Sequence, residues 1–316
     1  MPNNRDSHIL FIAGAMRSGS TLLGMLLGRL PGFFNAGEIK WFWPDALHRR
    51  ARCECGVSVQ DCPFWSEVIM RLEQEGVDIS RIAQLHPKLT RTKDIPFIWL
   101  RQQGAWQSAI WDEFVSAHDA LYRITSELAG GRVVIDASKM PPHLMLLKSL
   151  EAVRFGTIHL VRDGRGVAYS WEKRYKAKFK TNHNYRASNR SAYKSLLMWL
   201  MQNELIEYML KSNQRRTLVR YEDFVLNPED TLRETLKALK FNYDSDGHPL
   251  IDDSSFPQSH SLGGSDQVRF ATGSQHLVLD EVWRKRMKSS KQNILYVLAI
   301  PLLRRYGYSR NKNTPK

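Results

Sequence analysis

The chain has 316 residues, of which 42% are hydrophobic and 25% are charged, and its formal net charge at pH 7 is +14. This length and composition are typical of a globular protein with a sizeable core, and they exclude a disordered or fibrous chain. The N-terminus lacks the pattern of a signal peptide, and the apolar run over residues 294–303 is about half of the ~20 residues that a membrane span needs. We therefore expect a cytoplasmic protein with one domain over residues 1–316.

The first predicted element is a buried strand over residues 9–13, which leads through a polar loop into a Leu-rich helical pattern. Gly14 and Gly19 have the spacing of the Walker A phosphate-binding loop, but Ser20 stands where that motif has its lysine. In such a strand–loop–helix, the loop N–H groups point at an anion on the helix N-terminus. Arg17 supplies a cation from another position in the loop. The sequence therefore predicts a P-loop-like phosphate cradle that is unsuited to ordinary ATP chemistry.

A long insertion over about residues 40–130 follows, and it is rich in tryptophan. Its strongest helical pattern covers about residues 106–128. Insertions after the carboxyl ends of strands usually carry the variable substrate site, whereas tryptophans are more often core residues. We expect a helical insertion that carries the variable substrate site, with its tryptophans mostly in the core.

Three cysteines, Cys53, Cys55 and Cys62, lie close together within this insertion. They suggest a zinc site, with His48 or His86 as the fourth ligand, although nothing in the sequence points to either histidine. The C-x-C spacing is also not that of the usual C-x-x-C knuckle. We favour a structural turn with reduced thiols, and no metal site is predicted.

Three further apolar runs predict buried strands, over residues 133–135, 157–161 and 217–219. Each predicted strand is followed by a polar turn and a helical pattern, as a parallel sheet with crossover helices requires. The four predicted crossover helices cover residues 23–30, 144–150, 166–174 and 231–239. The expected fold class is α/β, a doubly wound parallel sheet flanked by helices, with a helical cap insertion.

The third predicted strand ends in a second anion-binding signal, at residues 159–170. Arg162 stands at the strand end, and a Gly-containing turn leads into the next helix. Ser170 and Arg174 lie one helical turn apart, so both can face the same anion. Two anion cradles at one edge of a parallel sheet imply a ligand with two separated phosphate-type groups.

With both cradles in view, the chain resembles the sulfotransferases that use 3′-phosphoadenosine 5′-phosphosulfate (PAPS). Residues 17–23 resemble the family's 5′-phosphosulfate loop, residues 160–165 with Ser170 its 3′-phosphate segment, and residues 219–224 a later segment whose tyrosine lies near the nucleotide. The short motifs are similar to those of the bacterial and tyrosylprotein branches, and the resemblance covers most of the chain. The positions assigned to PAPS binding are Arg17, Ser18, Gly19, Ser20, Thr21, Leu22, Ser138, Arg162, Ser170, Arg174, Tyr221 and Arg269.

The same resemblance implies the catalytic residues. In the tyrosylprotein branch a Gly-Glu pair supplies the base, and Gly37-Glu38 stands at the matching place. A carboxylate beside an electropositive cradle can take a proton from an acceptor hydroxyl or amine. Lys139 matches the lysine that stabilises the bridging oxygen of the leaving nucleotide, with Arg17 beside it. PAPS would be the co-substrate and PAP the product, and no metal is required. The acceptor stays open between a small molecule, a carbohydrate, a lipid and a peptide.

Two alternatives compete with this interpretation, and a separate question concerns the apolar run over residues 294–303. A P-loop ATP-dependent kinase or nucleotide hydrolase, with Asp136 holding Mg²⁺, needs the lysine contact that Ser20 cannot supply. A nucleic-acid-binding module would use the net charge and the aromatic residues among the cations of residues 162–194, but the second cradle explains that block better, so no nucleic acid is expected. Contact of residues 294–303 with a membrane surface is less favoured than a buried helix.

Overall fold

The described part of the chain forms a five-stranded sheet in which every paired strand is parallel. The strands are β1 (Ser7–Ala13), β2 (Phe33–Gly37), β3 (Val133–Lys139), β4 (Val153–Val161) and β5 (Arg216–Arg220), in the order β2-β3-β1-β4-β5. The computed structural model describes residues 7–48, 52–105, 107–151, 153–178, 191–241, 259–270 and 277–310, with backbone alone over residues 174–178.

Helices connect the strands and fill the long segment after β2. They are α1 (Ser20–Leu27), α2 (Phe42–Leu47), α3 (Pro63–Gln74), α4 (Ile79–Leu89), α5 (Ile95–Gln102), α6 (Ala109–Leu128), α7 (Pro141–Leu147), α8 (Gly164–Lys178), α9 (Ala192–Leu210), α10 (Tyr221–Leu226), α11 (Pro228–Ala238), α12 (Asp266–Arg269), α13 (Val282–Arg286) and α14 (Ser289–Arg305). The α/β class with a parallel sheet flanked by helices is as predicted.

The connections leave β1 and β4 in opposite directions, since the chain passes from β1 through α1 towards β2 and from β4 through α8 towards β5. Neighbouring strands whose connections diverge leave a crevice at their carboxyl ends, which is where open α/β sheets bind ligands. The two predicted cradles follow these same two strands. The topology therefore brings them to one place.

Strand β2 is absent from the sequence prediction, which passes from the first helix directly to Gly37-Glu38. Its five residues, FFNAG, contain no apolar run beyond two phenylalanines, so no periodicity marks them as a strand. The strand lies at the edge of the sheet, where Leu262 covers it: Leu262 N–H donates to Ala36 O at 2.9 Å, and Glu38 N–H donates to Leu262 O at 2.6 Å. The long insertion accordingly begins after β2.

The helix bounds also differ from the prediction at their starts. The helix predicted over residues 144–150 is α7, which begins and ends three residues earlier, at Pro141 and Leu147. Proline is accommodated in the first helical turn because the N–H groups there have no partner within the helix. Helix α1 begins at Ser20, directly after Gly19.

Two apolar cores lie on the two faces of the sheet, and successive side chains of β1 point alternately into one core and the other. Ile9 and Phe11 face the helices of the insertion, and Leu10 and Ile12 face α1, α10 and α11. The tryptophans follow the core expectation in part: Trp43, Trp65 and Trp111 are buried, whereas Trp41 and Trp99 are exposed.

Residues 294–303 lie in α14, whose inner side packs in a third core with residues of α8 and α9. Leu295, Ala299, Leu302 and Leu303 are buried there, as the buried-helix interpretation requires, and Ile294, Val297 and Leu298 face outwards. Among the described residues no helix has both the length and the apolar character to cross a bilayer.

Candidate active site at the carboxyl ends of β1, β3 and β4

The loop between β1 and α1 is held in a tight shape by close approaches. A Cβ at Gly14 would lie 2.3 Å from the carbonyl oxygen of Leu160 in β4, and one at Gly19 would lie 2.5 Å from the ring of Tyr221. Gly19 has φ +96° and starts α1. These two positions therefore require glycine, for contact reasons as well as for conformation.

Two cationic residues also have positive φ, one within this loop and one at the end of β3. Arg17 has φ +74° and Lys139 has φ +66°. A non-glycine residue in this region costs on the order of 1 kcal/mol or more, and such residues cluster at functional sites. Gly14 N–H donates to Lys139 O at 3.3 Å, which joins the loop to the end of β3.

A cavity of about 220 Å³ lies between these strand ends. The predicted site residues that line it are Arg17, Gly19, Ser20, Thr21, Leu22, Glu38, Lys139, Arg162 and Tyr221. Its remaining walls are Met16, Gly264, Ser265, Val268 and Asp280. The structure thus brings the first loop, the Glu38–Lys139 pair and the end of β4 around one space.

Glu38 is buried between two lysines. Its Oε1 accepts from Lys139 Nζ in a short contact, and its Oε2 contacts Lys40 Nζ at 2.9 Å and accepts from Trp41 Nε1 at 3.1 Å. Burial acts to raise the pKa of Glu38, but the charges and hydrogen bonds of Lys139 and Lys40 outweigh it and hold the pKa at about 2. Burial likewise lowers the pKa of Lys139, and the Glu38 carboxylate opposes that shift.

Asp136 is fully buried in β3, close to this ion pair. Its hydrogen bonds hold the turn after β2 against the end of β3. Its Oδ1 accepts from Ile39 N–H at 3.3 Å and from Ser138 N–H at 2.8 Å, and its Oδ2 accepts from Tyr122 OH at 2.6 Å. Burial raises the pKa of Asp136, and these hydrogen bonds oppose it. Both oxygens thus have protein donors, so the arrangement suits a positioning carboxylate rather than the Mg²⁺ ligand of the kinase alternative.

Ser138 belongs to the same network. It is fully buried and absent from the cavity wall, and its Oγ accepts from the backbone N–H of Lys40 at 3.0 Å. Although it is predicted to bind PAPS, its position is that of a residue that orients the Glu38–Lys40 turn.

The two cradles are joined by direct contacts. Arg17 Nε donates to Ser170 Oγ on α8 at 3.0 Å, and Arg162 donates to the carbonyl oxygen of Arg17 at 3.2 Å. The Arg162 guanidinium also lies 4.5 Å from the centre of the Tyr221 ring and donates to Asp280 O at 2.9 Å and Oδ2 at 3.0 Å.

Three predicted positions remain, namely Ser18, Arg174 and Arg269. Ser18 Oγ is buried near Gly14 and has no hydrogen-bond partner in the part of the chain that is described, which fits a hydroxyl that serves a bound anion. The side chain of Arg174 lies outside the described residues. Arg269 is turned away from the cavity, and its guanidinium donates to Arg52 O and Ser261 O, both at 2.8 Å.

Sequence reasoning missed Lys40, Trp41 and Asp280, although each contacts a predicted residue directly. Lys40 and Trp41 follow Glu38 in the chain, but only the bend at Ile39–Trp41 turns their polar atoms back to its carboxylate. Asp280 reaches Arg162 from a segment more than a hundred residues later, and no local pattern signals that contact.

Comparison with known proteins shows the family of this chain. The model of the sulfotransferase family matches residues 10–245. The sulfotransferase domain from the curacin biosynthetic pathway is 18% identical, with a TM-score of 0.55 over 96% of this chain and 98% of that one. The sulfotransferase domain from the Synechococcus PCC 7002 olefin synthase is 17% identical, with a TM-score of 0.55 over 98% of both chains. No curated protein matches. The structures establish the fold, and the family model, which covers well over half of the chain, shows that this protein is a transferase that belongs to the sulfotransferase family.

Proposed function

We propose that this sulfotransferase moves the sulfonate group from PAPS to a hydroxyl or amine of its acceptor by in-line transfer in the cavity between the strand ends. One observation carries the proposal. The residues that the motifs assign to a 5′-phosphosulfate and to a 3′-phosphate are in direct contact through Arg17, Ser170 and Arg162, and the Glu38–Lys139 pair lines the same cavity.

The donor would be held by the two cradles. The N–H groups of the loop from Gly14 to Gly19 suit the 5′ end, together with Arg17 and the Ser18 hydroxyl, which has no partner among the described residues. Arg162 and Ser170 suit the 3′-phosphate, because Arg162 directly follows β4 and Ser170 lies in the second turn of α8. When bound, PAPS supplies a sulfonate that accepts the nucleophile while PAP departs.

Glu38 would take the proton from the hydroxyl or amine of the acceptor on a carboxylate oxygen. As this happens, the new bond to sulfur forms and the bond from sulfur to the phosphate oxygen breaks. With a pKa of about 2 in its present ion pairs, Glu38 is a weak base. If Lys139 turns from Glu38 to the departing oxygen, it stabilises that charge and at the same time leaves the carboxylate more basic. Lys139 thereby couples donor binding to the strength of the base.

The acceptor would approach past Trp41. This ring is partly exposed and is hydrogen-bonded to the Glu38 carboxylate. A flat aromatic surface beside the base suits an acceptor with an apolar or sugar face. Small molecules, carbohydrates, lipids and peptides all include such acceptors.

The first experiment is a calorimetric titration with PAP, with AMP and ATP as controls and no added magnesium. We expect metal-independent binding of PAP and none of AMP. Arg162→Met should weaken PAP binding at least tenfold, since hydrogen bonds to charged groups contribute about 1.5–3 kcal/mol. Lys237→Met, which removes an exposed cation from α11 outside the cavity wall, is the matched control. Binding of ATP alone, and only with magnesium, would favour the kinase alternative instead.

A further inference from the structure

Four metal-binding side chains meet outside the cavity. The ligand atoms of Cys53, Cys55, Cys62 and His260 all lie within 4.8 Å of one another. Cys53 and Cys62 are buried, and Cys55 and His260 are half-buried. The cysteines come from the turn before α3, and the histidine comes from the segment before α12.

The three distances that join Cys53, Cys62 and His260 are close to the edges of a tetrahedral zinc site. The Cys53 and Cys62 sulfurs are 3.6 Å apart, and His260 Nδ1 lies 3.8 Å from Cys53 Sγ and 3.2 Å from Cys62 Sγ. A tetrahedron with Zn–S and Zn–N bonds of usual length has edges of about 3.8 Å between sulfurs and about 3.6 Å between sulfur and nitrogen. A disulfide would need the two sulfurs at about 2.05 Å, much closer than they are.

We propose that Cys53, Cys55, Cys62 and His260 bind one Zn²⁺ ion in a structural site. Three thiolates and an imidazole are a ligand set that zinc prefers, and four protein ligands leave no open position for catalysis. On binding, the three thiols release their protons, so that three thiolates, a neutral imidazole and Zn²⁺ carry a net charge of −1.

This proposal differs from the sequence interpretation, which favours reduced thiols and names His48 and His86 as the candidate fourth ligands. His86 lies elsewhere, where its ring packs against those of Phe114, His118 and His143. The fourth ligand comes instead from a segment about two hundred positions along the chain, which only the fold brings to the cysteines.

The site lies where the insertion meets the segment over residues 259–270. Trp65 Nε1 donates to His260 O at 2.5 Å, Ser261 Oγ donates to a Glu54 carboxylate oxygen at 2.5 Å, and the Phe64 ring stacks on His260 at 5.5 Å. An ion here would add four bonds to this contact. It would fix the segment in place far more firmly than the hydrogen bonds alone.

The fixed segment continues to the proposed donor cavity. Leu262 pairs with the edge of β2 on either side of Gly37, and Ser265 N–H donates to Thr21 Oγ1 at 3.2 Å. Gly264, Ser265 and Val268 line the cavity. Zinc would therefore position the wall of the donor site, and this consequence, unlike the metal site itself, rests on the proposed function.

The test is the metal content of the full chain, purified without a histidine tag under reducing conditions, by inductively coupled plasma mass spectrometry. We expect one zinc per chain, and Co²⁺ exchange should give the visible absorption of a tetrahedral thiolate complex. Cys55→Ser and His260→Gln should each weaken metal binding at least tenfold in competition with a chelator. His48→Gln, which changes a candidate ligand of the sequence interpretation, should keep the ion.

If those variants fail to fold, measurements on the wild-type protein alone still test the proposal. Sub-stoichiometric zinc after metal loading, three thiols that react equally fast with and without chelator, or a Cys53–Cys62 disulfide found by mass spectrometry would each overturn it. The two proposals fail separately. Zinc without PAP binding leaves the metal site standing, and PAP binding without zinc leaves the proposed function standing.

Discussion

The buried contact of Glu38 with Lys139 and Lys40 makes a quantitative prediction about stability. The pKa of Glu38 is about 2 in the folded chain against an ordinary value of 4.5. At 1.36 kcal/mol per pKa unit, this difference corresponds to about 3 kcal/mol of folding free energy at pH 7. It agrees with the roughly 3–5 kcal/mol that breaking one side of a buried ion pair costs. Glu38→Gln should therefore destabilise the protein by about 3 kcal/mol at neutral pH.

The pH dependence follows from the sign of the shift. A carboxyl whose pKa is lowered on folding contributes its full stabilisation above the unfolded pKa and loses it as the pH falls towards the folded pKa. The stability difference between wild type and Glu38→Gln should thus shrink below pH 4.5, to about 2 kcal/mol at pH 3.5. Urea unfolding at pH 7, 5, 4 and 3.5 measures it.

Glu73→Gln is the matched control, because it makes the same chemical change on the exposed side of α3. Its stability should stay within about 0.5 kcal/mol of wild type at each pH. If Glu38→Gln costs as little as the control at pH 7, or if its cost does not change with pH, the carboxylate is not paired with the two lysines in solution and the reasoning fails.

Three further variants test other parts of the site. Gly19→Ala should lower both the melting temperature and PAP affinity, because φ is +96° and the new Cβ would lie 2.5 Å from a tyrosine ring. Gly32→Ala, also at positive φ but in open space, should keep PAP affinity. Equal PAP affinities of the two variants in calorimetry would contradict this. Asp136→Ala leaves the backbone N–H groups of Ile39 and Ser138 without their acceptor and should cost at least about 1–3 kcal/mol in urea unfolding, and an unchanged midpoint would argue against its positioning role. Lys40→Met removes one of the charges that lower the pKa of Glu38, so the acid limb of kcat/KM should move to higher pH; an unmoved limb would count against Glu38 as the base.

The fold was predictable wherever buried strands are continuous apolar runs. The strands over residues 9–13, 133–135, 157–161 and 217–219 all lie within strands of the sheet, since parallel strands covered on both faces have this pattern. Strand β2 has small and polar residues in three of its five positions, and it is completed by Leu262 from a distant segment. Contacts of that kind leave no trace in local periodicity.

The candidate site was predictable where its residues belong to a local motif. The glycines of the first loop and Arg162 after β4 follow directly from strand–turn–helix patterns, and the topology then brings the two patterns together. Pairings across the chain, such as Asp280 with Arg162 and His260 with the cysteines, depend on the packed structure. Sequence spacing cannot reveal them.

The positive φ of Arg17 has a consequence for how variants of this protein would be scored. Arg17→Gly would release backbone strain of about 1 kcal/mol, and this release would offset part of what the lost contacts of Arg17 contribute, the hydrogen bond to Ser170 among them. The folded state would therefore lose less stability than the lost contacts alone suggest, although the proposed donor site would lose its loop cation. A screen that reads only protein abundance or solubility would therefore understate the effect of Arg17→Gly, and an assay of nucleotide binding is needed to detect the full loss.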